Sequence, residues 1–493
     1  MTDSPVVETA SGPVRGFWRD HGTPDASAAF LGIPFAKPPV GKLRFAAPVP
    51  PQPWTDPLDA TAYGATPLRI TGVDNLIPEP AIPGKSTLNV NVFTPALDGA
   101  LPVLIWIHGG GYTEGSPASP WYDGARFNRD GVVTVTISYR IGFDGFGHIE
   151  GAPANRGVLD WIAALEWVQQ NIAAFGGDPS RVTIGGQSAG GGAVLTLLGM
   201  PQTQHLFHRA MSFSGALADV PLATAKARGR RLADLGGVSA DVDGLRTLTE
   251  RRIRQLQPQA ATPRTGIGMV LDLLEDGLPW GPMIDGELIR RPAVDSLAEG
   301  VGADKPLLIG AADDEFTMVA EREGARIRWL PSWLLLLPFL RPWCVRRAYL
   351  AANRAQRRKG GAAMIGRFIS DHVFRALVPR VAEARSRRSG GDADAGTWAY
   401  RFSWVSQALG WACHCLDVPF WFDGLDRERV ANLAGEHPPQ ALADEMHAAA
   451  VAFIVGGNPG WPAWSSAPGI ARVFGGDGAD IAEDAYDSVL PLV

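Results

Sequence analysis

The sequence predicts an α/β fold in which a mostly parallel central sheet is flanked by helices and carries an inserted helical cap. Three observations predict it. Short β-rich runs alternate with longer helical patterns along most of the chain. The helical pattern between the second and third runs carries one apolar stripe at helical spacing. Residues 317–396 break the rhythm with helical, Arg-rich and Pro-containing sequence, as an insertion above a sheet would.

The runs, in order, are LPVLIWI (Leu101 to Ile107), GVVTVTISY (Gly131 to Tyr139), RVTIGG (Arg181 to Gly186), HRAMSFSG (His208 to Gly215), KPLLIGA (Lys305 to Ala311) and TWAYRFSW (Thr397 to Trp404). Bounded by turn residues, they read as buried strands. After the second run, LDWIAALEWVQQNIAAF places Leu159, Ile162, Ala163, Leu165, Val168 and Ile172 on one helical stripe. Strands joined by such helices run parallel, with helices on both faces of the sheet. The insertion closes with RSRRSGGDADAG, which reads as a solvated loop. Inside it WLPSWLLLLPFL (Trp329 to Leu340) is strongly apolar, but Pro331 and Pro338 break it and a bilayer span needs roughly 20 residues. It reads as a cap helix packed on the core, with a membrane-touching or substrate-facing lid as the alternative, and no stable membrane insertion is expected. No repeat of fixed period is visible, and residues 1–493 read as one domain with a cap at 317–396.

Composition narrows the function. A chain of 493 residues can bury a sizeable core, and 46% apolar with 19% charged residues, 58 Gly and 40 Pro describe a soluble, loop-rich enzyme. The net charge of −6 offers no basic footprint for nucleic acid or an anionic membrane. Cys344, Cys413 and Cys415 cannot build a disulfide framework, which fits a reducing compartment. The opening MTDSPVVETASGPVRG has an early acid and no long apolar run, so cytoplasmic residence is expected.

Chemistry concentrates at RVTIGGQSAGGGAV (Arg181 to Val194), where Ser188 stands among glycines directly after a strand and before a helix. On so sharp a turn, side chains two residues either side would collide, and Gly186 and Gly190 remove that collision. The hydroxyl then projects from the carboxyl edge of the sheet, next to the Ala189 N–H and the start of the helix. WIHGGGYTEGS supplies a second feature: a strand ends at His108, and Gly109, Gly110 and Gly111 leave backbone N–H groups bare for an oxyanion. A serine needs a base and an orienting acid. Three acids, Asp313, Asp314 and Glu315, follow the fifth run, and spacing alone does not choose among them. His414, in GWACHCLDVPFWF, sits in apolar and aromatic company, whereas His372 lies in the insertion and His437 and His447 in polar or helical sequence. His108 and His148 precede the serine and read as loop-shaping residues. A zinc reading of Cys413, His414 and Cys415 fails on an extended segment, where the thiols point away from the imidazole and a fourth ligand is missing. No metal and no other cofactor is expected.

FLGIPFAKPPVGKLRF (Phe30 to Phe45), LNVNVFTP (Leu88 to Pro95), HGGGY (His108 to Tyr112), NIAAFGGDPSRVTIGGQSAGG (Asn171 to Gly191) and ACHCLDVPF (Ala412 to Phe420) together resemble the type-B carboxylesterase/cholinesterase family of α/β-hydrolases over nearly the full length. The resemblance implies the α/β-hydrolase fold, Ser188 as nucleophile, Glu315 as acid, His414 as base, and Gly110, Gly111 and Ala189 as oxyanion donors. It also implies that Ser214 hydrogen-bonds the acid. Departures bear on substrate: Gln187 stands where the family has an acid, and no aromatic residue occurs between Gly64 and Ser86, so a choline ester is not the expected substrate. Lys85 stands where an acid would pair with Arg44, which implies a rebuilt gorge entrance, and Phe316 replaces a glycine beside the acid. The expected function is a serine carboxylesterase acting on small, neutral, fairly hydrophobic esters through an acyl-enzyme. A carbamate or amide hydrolase with the same triad is the alternative, and a non-catalytic binding protein of this fold a third reading.

Overall fold

The computed structural model describes residues 4–69, 76–262, 272, 274, 277–324, 329–386 and 395–493. Its centre is an eleven-stranded sheet of β1 (Phe17–Arg19), β2 (Ser27–Pro34), β3 (Asn89–Thr94), β4 (Leu101–Ile107), β5 (Val133–Ile137), β6 (Gly177–Gln187), β7 (Arg209–Phe213), β8 (Leu307–Ala312), β9 (Thr397–Phe402), β10 (Ala471–Phe474) and β11 (Ile481–Ala482). Across the sheet the order is β11-β10-β9-β8-β7-β6-β4-β5-β3-β2-β1. All pairings from β5 through β4, β6, β7, β8 and β9 to β10 are parallel, and those at the two margins are antiparallel. All six predicted runs are strands of the parallel part. β1, β2, β3, β10 and β11 were not read as strands; length accounts for β1, three residues long, and β11, two, but not for β2, which has eight, or β3, which has six.

The chain winds outward from β4 to β5 and then returns past β4 to place β6, so winding reverses between β4 and β6. Ligand sites of open α/β sheets lie outside the carboxyl ends of strands at such a reversal. Helix α1 (Arg156–Asn171) makes the return crossing. Its buried side is Val158, Trp161, Leu165 and Val168, so the predicted stripe is rotated: Leu159, Ile162 and Ala163 are only half-buried. Trp161 is fully buried and sets the inward direction. Asp160, also buried, holds Arg140 of the loop after β5 at 2.7 Å, so burying that charge is matched by an ion pair.

Helix α2 (Ala189–Leu198) leaves the end of β6 and is buried along its whole length. Beneath the other face, Phe213 stacks on Trp421 with ring centroids 4.7 Å apart, and the Tyr400 ring meets Trp421 edge-on at 5.0 Å. Each such ring contributes roughly 1.5–3 kcal/mol of burial to the rigidity of the strand ends above it. Between β8 and β9 the chain runs through α3 (Thr317–Glu323), α4 (Ser332–Leu335), α5 (Trp343–Ala352), α6 (Arg354–Lys359), α7 (Gly361–Ser370), a π-helical turn (Asp371–Arg375) and α8 (Leu377–Ser386). Most of the predicted loop at its end, 387–394, lies outside the described residues.

Candidate active site

Ser188 connects β6 to α2 with φ 58 and ψ −125, a conformation side chains rarely adopt. Such a conformation costs about 1–3 kcal/mol and persists where surroundings enforce it. Here they do: the Ser188 N–H donates to the Phe213 carbonyl at 2.9 Å, and its carbonyl accepts from Gly192 at 2.9 Å and Ala216 at 3.0 Å. The glycines are required by space. A Cβ on Gly190 would stand 2.0 Å from the Ile107 oxygen, and one on Gly186 would stand 2.5 Å from the Gly190 backbone.

The glycine loop after β4 lies against this turn. A Cβ on Gly109 would come within 3.2 Å of the Ser188 Cβ, and Gly110 and Gly111 take φ of 104 and 58. Among the described residues, no acceptor takes the N–H of Gly110, Gly111 or Ala189. His108 shapes this loop: it is buried, stacks on Tyr139 at 4.4 Å and bonds the Gly109 carbonyl at 2.9 Å. Burial lowers its pKa to about 4, so it is neutral.

The three acids after β8 have separate fates. Asp313 meets Arg401 at 2.8 Å, and Asp314 meets Arg367 at 3.0 Å. Glu315, fully buried, accepts from the Ala312 N–H at 2.9 Å and places Oε2 2.5 Å from His414 Nδ1. The His414 N–H donates to the Glu315 carbonyl at 2.9 Å, so side chain and backbone are both tied. Burial disfavours the protonated ring, but Cys415 and the Glu315 carboxylate favour it, and the net shift is upward. The other late histidines work elsewhere: His372 bonds the Leu274 carbonyl at 3.1 Å and His447 meets Asp130 at 3.0 Å.

Ser214 is a correction. Its N–H is held by the Gly310 carbonyl at 2.8 Å, but among the described residues its buried hydroxyl has no partner and makes no bond to Glu315. The acid is satisfied by Ala312 and His414 instead. The segment Cys413 to Cys415 is a second correction: it is a turn, not extended, with Cys415 at φ 67. That turn brings the Cys415 thiol 3.5 Å from Gln187 Oε1, while Gln187 Nε2 lies 3.3 Å from His414 Nε2. With the His414 proton on Nδ1 toward Glu315, the Gln187 amide donates to the free ring nitrogen. Arg44 finds Asp144 at 2.9 Å and the Leu248 carbonyl at 2.5 Å in place of the acid that Lys85 replaces.

Sequence reasoning missed the bracing of His414. Phe316 stacks on the imidazole at 4.9 Å, and Phe374, from the turn after α7, lies at 4.8 Å. Phe316 therefore leaves the carboxylate in place and covers the ring. No local signal marks Phe374, whose position depends on how the whole insertion folds back.

This arrangement can generate a nucleophile, stabilise the charge transferred to the base and bind an oxyanion. The chain is 32% identical to the para-nitrobenzyl esterase of Bacillus subtilis, covering 93% of this chain and 92% of that one. It is 31% identical to the phenmedipham hydrolase of Pseudarthrobacter oxydans, covering 98% of each. A solved PNB esterase structure superposes with a TM-score of 0.84 at 29% identity, over 99% of both chains. The carboxylesterase family model matches residues 3–329, and the chain belongs to that family, with its α/β-hydrolase fold.

Proposed function

We propose that Ser188, His414 and Glu315 form the catalytic triad of a serine carboxylesterase that hydrolyses neutral, fairly hydrophobic esters of small molecules. The enzyme is a carboxylic-ester hydrolase by family. The observation that carries the residue assignment is the 2.5 Å contact between His414 Nδ1 and Glu315, beside a serine held at positive φ. Ser188 Oγ attacks the ester carbonyl carbon and its proton passes to His414 Nε2. The oxyanion is received by the N–H groups of Gly110, Gly111 and Ala189, each worth roughly 3–4 kcal/mol in the transition state. Collapse breaks the bond to the alcohol oxygen, which takes the proton from His414. Water then repeats the sequence on the acyl-enzyme and releases the acid. Gln187 contributes no negative charge beside the reaction, which supports a neutral substrate. Ser214 is packing rather than part of the acid's support.

Residues 317–396 act as a cap within a single domain, a reading supported by Phe374 within the segment and Phe316 just before it both reaching His414. Three unpaired thiols, Cys344, Cys413 and Cys415, support residence in the cytoplasm. The phenmedipham hydrolase relative favours carbamate cleavage as a second reading. Replacing Ser188 by alanine is expected to abolish hydrolysis of p-nitrophenyl acetate with unchanged folding. Retained turnover in that variant overturns the assignment, and a carbamate cleaved faster than the matched ester selects the second reading.

A further inference from the structure

The helical insertion between β8 and β9 has two unlike faces. The inner one is a small core in which Leu336, Leu340, Tyr349, Leu350, Met364 and Phe368 are buried together. The outer one is not the polar surface expected of a segment facing water. Trp333 and Trp343 are 48% and 58% exposed, and Leu330, Leu334 and Leu337 between 42% and 43%, in a stretch where Trp329 is also exposed. Isolated exposed apolar residues are ordinary, but a run of large ones within 15 positions marks an interaction surface.

Its charge identifies the partner. From Trp329 to Ser370 the chain has eight basic residues and no Asp or Glu, although the whole protein carries −6. Two of the eight turn inward: Arg346 donates to the Leu340 carbonyl at 2.7 Å and Arg367 pairs with Asp314. The remaining six, Arg341, Arg347, Arg354, Arg357, Arg358 and Lys359, are exposed, with Lys359 also lying over the Trp411 ring at 3.9 Å. Trp343 and Arg347 stand one turn apart on α5, so an aromatic and a cation share one face. The net charge of the chain conceals this local basic patch.

We propose that this outer face docks on an anionic lipid bilayer, with the tryptophans and leucines entering the headgroup boundary and the exposed cations facing acidic headgroups. A second copy of the chain is the poorer occupant, because a symmetric contact sets the same six cations against each other. Adsorption in the plane of the surface agrees with the finding that no described helix is long and apolar enough to span a membrane. The patch is also tied to the site: Phe316, which immediately precedes α3, stacks on His414, and Phe374, which follows α7, lies against the same ring at a tilt. Docking thus brings the mouth of the insertion to esters dissolved in the bilayer, and this delivery, unlike docking itself, rests on the ester-hydrolase reading.

The test is co-sedimentation of the full chain with phosphatidylcholine vesicles, plain or doped with phosphatidylglycerol, at low and high salt. Binding about a hundredfold or more stronger to doped vesicles, and lost at high salt, is expected. Arg341→Gln with Arg347→Gln should weaken partition about 25-fold, at about fivefold per charge near the surface. Trp333→Ser with Leu337→Ser should weaken it about tenfold or more. All variants should hydrolyse soluble p-nitrophenyl acetate like the parent. Equal weak binding to both vesicle types, or variants that bind as the parent does, overturns the proposal. So does a parent that light scattering shows to be a dimer and a Trp333/Leu337 variant that is a monomer, which would make a second copy the occupant. Selective vesicle binding by a parent that cleaves no ester would leave docking standing and overturn the ester-hydrolase reading.

Discussion

Exchanging Gln187 for glutamate perturbs the electrostatics of the reacting centre at a known position. The Gln187 side chain is buried, and its amide nitrogen lies 3.3 Å from His414 Nε2. As a donor it favours the neutral ring with its lone pair on Nε2, the form that takes the serine proton once the amide gives up that lone pair. A carboxylate there can only accept, so it favours a proton on Nε2 and hence the imidazolium. Two unit charges about 4 Å apart attract by about 4 kcal/mol at an effective dielectric of about 20. That equals about 3 pKa units. Burying a second carboxylate near Glu315 offsets part of this gain, leaving about 1–2 units. In the proposed triad His414 has to be neutral to act as base, so the acidic limb of kcat/KM against pH is expected to move upward by that amount while the alkaline plateau remains. The assay is hydrolysis of p-nitrophenyl acetate from about pH 5 to pH 9. A limb that stays in place, or moves to lower pH, refutes the placement of Gln187 against the catalytic nitrogen.

Phe316→Ala removes a ring that covers the His414 imidazole at 4.9 Å. A desolvated cation–π contact is worth about 1–2 kcal/mol, so the acidic limb should fall by about one unit, and an unchanged limb would show the ring to be filler. Asp417 is buried beneath the site, where the Tyr400 hydroxyl donates to it at 2.8 Å. Burial first, and then the Glu315 charge, raises its pKa from 3.8 to about 6. Its folded pKa lies above the unfolded one, so stability present below about pH 3.8 is lost as pH rises toward 6, amounting to about 3 kcal/mol above that range. Asp417→Asn keeps an acceptor for Tyr400 and should raise thermal stability at pH 8 but not at pH 4. Equal melting of variant and parent at pH 8 contradicts that reading.

Much of the fold was legible because parallel strands buried on both faces leave continuous apolar runs, and every run that was read is a strand of the parallel sheet. The antiparallel margins left no such trace. The stripe of α1 was right at Leu165, Val168 and Ile172 and off at Leu159, Ile162 and Ala163, because hydrophobicity alone ranked these with the inward residues, and only packing shows that Trp161 points into the core. At the site, the turn at Ser188 was readable from glycine spacing, since backbone collisions are local events. Choosing among Asp313, Asp314 and Glu315 needed the family resemblance, because all three follow one strand and differ only in which arginine or histidine they meet. Gln187, Cys415 and Phe374 approach His414 from separate parts of the chain, and contacts of that kind have no signature in a single sequence.

Covalent labelling by an organophosphonate, followed by mass spectrometry of the peptides, tests the central claim most directly. The account predicts one adduct per chain, on the hydroxyl of Ser188, and labelling slowed about a thousandfold or more in a His414→Ala variant. An adduct on another residue, or labelling of Ser188 that proceeds at the parent rate without His414, contradicts it.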